Sequence, residues 1–208
     1  MTLKNTISKF KFINNKYKLI LSVGTFYNIV WSIIKIIFGV ISKSYYFSIS
    51  GCSSLLLGII KKLYLGYFNS DDENEKLWKS FTISILLILS SLLFTFYMAR
   101  LFFVADNKEY GLIMSITIAT FSFTELGFSI YNYIASKKSQ DILLKSFRIS
   151  SLAQSNFAIV LTQVALLSAT NSTNSFLNGL VGVIFGIISI ILGLYNLRKI
   201  ITLLNITK

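Results

Sequence analysis

Six charge-poor apolar runs, at 19–41, 44–60, 80–99, 110–135, 149–169 and 176–197, alternate along the chain with short polar stretches that are mostly basic. Each run approaches the roughly 20 apolar residues that a helix needs to cross a bilayer. None keeps the strict period of two over about 10 residues that marks the strands of a membrane barrel. The pattern predicts an all-α polytopic membrane protein, a bundle of six transmembrane helices. Residues 1–18 read as a basic cytoplasmic leader, 19–197 as the membrane domain and 198–208 as a short cytoplasmic tail.

Composition sharpens the class. With 54% hydrophobic and 13% charged residues in a chain of 208, and a mean hydropathy of +0.68, the sequence is too apolar for a water-soluble domain. It contains no histidine and no proline, and Cys52 is its one cysteine. A lone thiol cannot form a disulfide within the chain. Without imidazole and with at most one thiolate, the usual transition-metal ligands are missing. The absence of proline removes the commonest helix breaker, so any unwound segment would rely on glycine.

The formal net charge of +12 is explained by topology, because the basic residues are scattered among loops and are not gathered on a soluble nucleic-acid module. Lys4, Lys9, Lys11, Lys16 and Lys18 fall in the leader, where Leu3, Ile7 and Phe10 recur at helical spacing. Both a short amphipathic helix on an anionic membrane surface and a disordered basic segment fit that stretch. No small-residue cleavage site follows a short apolar core, so no removable signal peptide is read. Lys61, Lys62, Lys76, Lys79, Lys137, Lys138, Lys145, Arg148, Arg198, Lys199 and Lys208 join the leader on one side, against Lys43, Arg100 and Lys108 on the other. The positive-inside rule then places both termini in the cytoplasm of a plasma-membrane protein. The acidic run SDDENEK at 70–76 reads as a solvated linker, since adjacent acids lack the spacing of a calcium loop. The glycosylation sequon at Asn171–Thr173 falls in an external loop, and the lean toward Ile, Lys, Asn, Phe and Tyr suggests an AT-rich bacterial genome in which such a sequon is chance.

Helical spacing sorts the intramembrane polar residues into faces. Gly24, Asn28, Ser32, Lys35 and Gly39 share a stripe of span one, which turns Lys35 toward its neighbours. Gly179, Gly182, Gly186, Ser189 and Gly193 line span six, a small-residue stripe suited to close helix packing. In span five Ser151, Gln154, Ser155 and Thr162 occupy one face, and Asn156 and Gln163 another. Those amides need partners in hydrocarbon, either as bundle-locking hydrogen bonds or as the lining of a substrate cavity. Ser122, Glu125, Ser129 and Asn132 share a face of span four. An intramembrane carboxylate is a functional candidate by default, and Glu125 is expected to hydrogen-bond serine or amide groups of span five. Lys35 is the obvious counter-ion, yet counting about 1.5 Å per residue from the outer helix ends puts it roughly 9 Å deep and Glu125 roughly 22 Å deep. Those depths argue against a direct pair. Proton relay and plain structural anchoring both remain open for Glu125.

The stretch YNIVWSIIKIIFGVISKSYYFSISGCSSLLLGII, 27–60, resembles the first two spans of cation diffusion facilitator transporters, with Asn28, Lys35, Gly39 and Ser44 in similar order. IYNYIASKKSQDILL and FLNGLVGVIFGIISIILGLYNLRK resemble segments around that family's last three spans, with Asn178 where the sixth helix often opens on Asp. The resemblance implies six spans with cytoplasmic ends. In that family Asp or His pairs four residues apart on spans two and five hold the metal. Here those places fall near Ser53 and Leu57, and near Arg148 and Leu152, and spans two and five contain no Asp, Glu or His. No stretch of these 208 residues reads as the cytoplasmic metal-sensing domain that many members of that family carry. The chain resembles, too, small uncharacterised six-span proteins of low-GC Gram-positive bacteria that carry a run like TQVALLS, here 162–168.

Two function classes follow. One is a facilitator-like carrier of a small solute or ion that does not use the usual metal site. The other is a non-transporting membrane component, such as a partner subunit or immunity-type factor. The candidate polar site comprises Glu125, Lys35, Asn28, Gln154, Asn156, Gln163 and Asn178. No catalytic residue, metal ligand or cofactor is expected, and an intramembrane enzyme is not, for want of His or a paired intramembrane carboxylate. The expected partners are the lipid bilayer and either a second copy or another membrane protein, not nucleic acid.

Overall fold

A backbone in hydrocarbon must satisfy its N–H and C=O groups within the protein, and a helix does so segment by segment. The computed structural model of the chain describes residues 3–41, 45–66, 72–104, 111–135, 141–170, 172 and 174–206, with the side chains of the first helix described at Leu19 and from Ser22 onward. Its elements are α1 (Leu3–Ile41), α2 (Tyr45–Gly66), α3 (Glu73–Arg100), α4 (Leu112–Ala135), α5 (Ile142–Ala169) and α6 (Ser175–Ile206). The protein is all-helical, and α1, α2, α3, α5 and α6 are long and apolar enough to cross a membrane. Ser44, the Asn132 side chain, and Asn171 and Thr173 of the sequon lie outside the description.

The helices outrun the apolar segments. No backbone break separates the leader from the first span, because α1 is continuous from Leu3, and α6 carries the helix past the last apolar run to Ile206. On α3 and α5 the extension comes from caps that hydropathy does not register. Asp72 accepts from the backbone N–H groups of Asn74 (2.9 Å) and Glu75 (3.4 Å), and Asp141 accepts from those of Leu143 (2.8 Å) and Leu144 (3.2 Å). Each satisfies first-turn donors that have no partner inside the helix. Part of the acidic run at 70–76 is therefore the start of a helix, with Glu73 and Glu75 in its first turn, where negative charge complements the helix dipole. The second carboxylate oxygen of Asp141 meets Lys76 Nζ at 3.3 Å, tying the N-terminal ends of α3 and α5 together.

Burial is inverted relative to a soluble domain. Ser53, Ser80, Ser84, Ser90, Ser91, Ser122 and Ser129 are fully enclosed, while Phe26, Phe96, Ile116, Leu166 and Ile191 face outward. An exposed apolar surface of this extent would drive association in water; against lipid tails it is the ordinary boundary. The chain is a multi-pass membrane protein.

α5 sits at the centre, packed against α2, α3, α4 and α6, while α1 lies chiefly on α2. Phe157 of α5 stacks on Phe94 of α3 at 4.3 Å, and Phe147 stacks on Tyr64 of α2 at 4.5 Å. Two seams bring backbones unusually close. Along α3–α6 the glycine stripe lies on α3: a methyl group added at Gly182 would strike the Met98 side chain, one at Gly186 the Thr95 hydroxyl, and one at Gly193 would lie 2.7 Å from Ile88 Cγ1. Along α1–α2 a methyl group at Gly51 would lie 2.9 Å from the Ile36 nitrogen and 3.0 Å from the Ser32 carbonyl oxygen, backbone atoms that cannot give way.

Replacing Gly51 by Val, or Gly182 by Leu, is expected to cost on the order of 1–3 kcal/mol through overpacking and to lower the unfolding midpoint of the detergent-solubilised protein. Gly127→Ala is the control: its added methyl group meets nothing within 4 Å, so its midpoint stays at or slightly above that of the parent.

Candidate functional site

Polar side chains converge where α1, α2, α4 and α5 meet. Glu125 of α4, 2% exposed, engages both carboxylate oxygens: Oε2 lies 3.1 Å from Lys35 Nζ of α1, and Oε1 accepts from Gln154 Nε2 of α5 at 2.7 Å. Lys35 also donates to Ser54 Oγ of α2 at 3.2 Å, and its ammonium lies 5.9 Å from the centre of the Trp31 ring, within cation–π range. Gln154 Oε1 accepts in turn from Asn28 Nδ2 at 3.4 Å. Asn28, Lys35, Ser54, Glu125 and Gln154 thus form one connected network drawn from four helices.

The direct Lys35–Glu125 pair corrects the expectation from depth. Trp31 stacks on Phe121 at 3.9 Å, and Gly24 lies beside Phe128, so α1 and α4 run antiparallel. In that register Lys35 is level with residues near 117, leaving an axial offset from Glu125 of roughly 12 Å, close to the depth difference counted from the sequence. What the count omitted is direction. Helical side chains lean toward the N-terminus of their own helix, and on antiparallel helices the Lys35 and Glu125 side chains lean toward one another. Two long side chains span the offset.

The remaining candidates separate. Asn156 points to α6, donating to Ser189 Oγ at 3.0 Å, and belongs to a helix-locking contact. Gln163 lies on α5 more than two turns beyond Gln154 and is only partly buried. Asn178 is buried in the first turn of α6, its side-chain oxygen without a hydrogen-bond partner among the described residues. A second polar cluster joins α3, α5 and α6, where Asn196 donates to Ser84 Oγ (2.8 Å) and accepts from Ser146 Oγ (3.3 Å). At the positions where the facilitator resemblance would put metal ligands, Ser53 donates to the Ser90 carbonyl at 3.3 Å and Leu57 is part of the apolar core.

Sequence reasoning missed Lys61. Counted among the loop cations, it is 1% exposed, inside α2, with Nζ unpartnered among the described residues. It lies close enough to Glu125 for their charges to interact. The signal was present in the spacing: Ser50, Ser54, Leu57, Lys61 and Tyr64 recur every three or four residues and form one buried face. Moving Lys61 from loop to core leaves the basic asymmetry of the loops intact.

No protein-family model and no curated protein matches the chain. The site is therefore read from its own geometry.

Removing one partner of a buried ion pair strands the other charge, at a cost of about 3–5 kcal/mol, whereas replacing both with apolar residues is commonly neutral or stabilising. Lys35→Met and Glu125→Leu should each lower the unfolding midpoint and membrane accumulation sharply, and the double variant should recover most of both. Equal losses in the single and double variants would show that the charges do not act as a pair.

Proposed function

We propose that this protein is a six-span carrier of the bacterial cytoplasmic membrane, with both termini cytoplasmic, that moves a small solute or ion through the polar junction of α1, α2, α4 and α5. The supporting observation is the buried charge: Lys35, Lys61 and Glu125 lie in the interior of a bundle surrounded by lipid. Helices in lipid can be held together by small-residue seams and neutral hydrogen bonds, both of which this bundle has elsewhere. Charged groups placed there instead are costly and mark ion or proton pathways in membrane proteins. The facilitator likeness supports the same class as a scaffold. With Ser53, Leu57, Arg148 and Leu152 at the expected ligand positions, a tightly held divalent metal is not the cargo.

A second reading, a non-transporting component that works through a partner, is favoured by one specific feature. Both oxygens of Glu125 are engaged and the residue is enclosed, which suits a fixed strut as well as a relay.

Reconstituted protein subjected to concentration jumps of sodium, potassium, protons, chloride and acetate on a solid-supported membrane separates the two. A carrier gives a transient current or an internal pH change with at least one of them, and Glu125→Gln, which keeps the shape but not the charge, abolishes it at equal protein density. Silence across the panel, or a signal that Glu125→Gln leaves unchanged, goes against a transport role for this carboxylate. Reporter fusions after Lys208 that read extracellular would overturn the orientation.

A further inference from the structure

We propose that Lys61 anchors a binding site for one small monovalent anion, a halide or a short carboxylate, held between α2 and α5 on the side of the Glu125 network away from Lys35. This deepens the carrier reading by giving the solute a charge class, and rests on that reading for its purpose.

Register locates the site. Tyr64 of α2 stacks on Phe147 of α5 at 4.5 Å, and the two helices run antiparallel, so one turn further toward the network Lys61 stands level with Ser150 and Ser151. One turn beyond that lies Gln154, bound to Glu125. Phe147 and Gln154 lie about 10 Å apart along α5, so an occupant held between them could have only a few atoms. The lysine side chain leans toward the N-terminus of α2, away from the aromatic floor and toward Gln154 and Glu125.

Chemistry selects the occupant. Lys61 Nζ is fully buried without a hydrogen-bond partner among the described residues, and so is Ser151 Oγ on the facing helix, a state that this hydroxyl shares with Ser80, Ser90 and Ser122 elsewhere in the bundle. Buried donors are almost always satisfied, and an ammonium carries three protons to place. The charge is equally incomplete. Glu125 offsets one cation, and Lys35 already contacts it at 3.1 Å. With Lys61 protonated, Lys35 and Lys61 against one carboxylate leave a net single positive charge among these buried groups. A monovalent anion closes that balance and accepts from both donors, whereas a dianion would invert the charge and a neutral solute would leave it standing.

The test is anion-dependent unfolding of the purified full chain in a neutral detergent. At fixed ionic strength, sodium chloride or sodium formate replaces sodium sulfate. An anion bound to the folded state raises the midpoint as its concentration passes the dissociation constant, by roughly 5–10 °C at about a hundredfold excess. The rise should occur with chloride or formate, with the stronger of the two identifying halide or carboxylate, and it should disappear in Lys61→Met. Lys61→Met should itself be at least as stable as the parent in sulfate, having lost an unpaired charge. Ser151→Ala, which keeps the lysine, should shift the response to severalfold higher anion concentration, and this arm decides the matter if Lys61→Met does not accumulate. Equal midpoints in sulfate, chloride and formate, or the same anion response with and without Lys61, would overturn the site. Because binding is read in detergent, an anion response without current in the reconstituted panel keeps the site and removes the carrier, and a current without any anion response does the reverse.

Discussion

Hydrocarbon does not hydrate a charge, and the architecture around Glu125 follows from that constraint. A carboxylate on α4 at this depth requires a cation and hydrogen-bond donors supplied by other helices, so α1 and α5 must approach with Lys35 and Gln154 correctly placed. Lys35 then recruits Ser54, which fixes α2 as well. In a lipid solvent apolar faces gain nothing from water by meeting one another, so association relies on close packing and polar contacts. Both operate here: polar contacts join α1, α2, α4 and α5 and, through Asn196 and Ser84, α6 to α3, while glycines bring α6 close to α3 and α2 close to α1. α5 joins both sets of polar contacts, through Gln154 on one face and through Asn156 and Ser146 on another.

The charge inventory separates what stabilises from what costs. A neutral pair such as Lys35–Glu125 recovers much of its desolvation, but rarely more than an apolar pair of the same volume would provide. Lys61, without a direct partner among the described residues, recovers none in that way. A bundle selected for stability alone would carry an apolar residue or a serine there, as it does at Leu57 and Ser54 on the same face of α2. That contrast within one helix face is why the carrier reading gives Lys61 weight equal to Glu125.

Much of this was legible in the sequence. The apolar runs forecast the helices, and three- and four-residue spacing placed Asn28, Lys35, Glu125 and Gln154 inside, with the glycines of α6 in a packing seam. Periodicity reports faces, and faces are what these residues needed. The failures were of other kinds. Helix starts at Glu73 and Ile142 depend on aspartate caps in polar stretches, which a hydropathy profile reads as linker. The Lys35–Glu125 pair depends on side chains leaning along their helices, which a depth count along the axis discards. Lys61 was lost because a basic residue at the edge of an apolar run is assigned to the loop by default, although the face it continues is a buried one.

The closeness of α6 to α3 also has a mechanical side. With Gly182 and Gly186 pressed onto Met98 and Thr95, neither helix can roll about its own axis without forcing side chains into backbone, so the two behave as a single rigid beam. On the carrier reading, breathing that lets a solute reach the interior would occur among the other helices, with the α3–α6 beam as the frame against which they tilt.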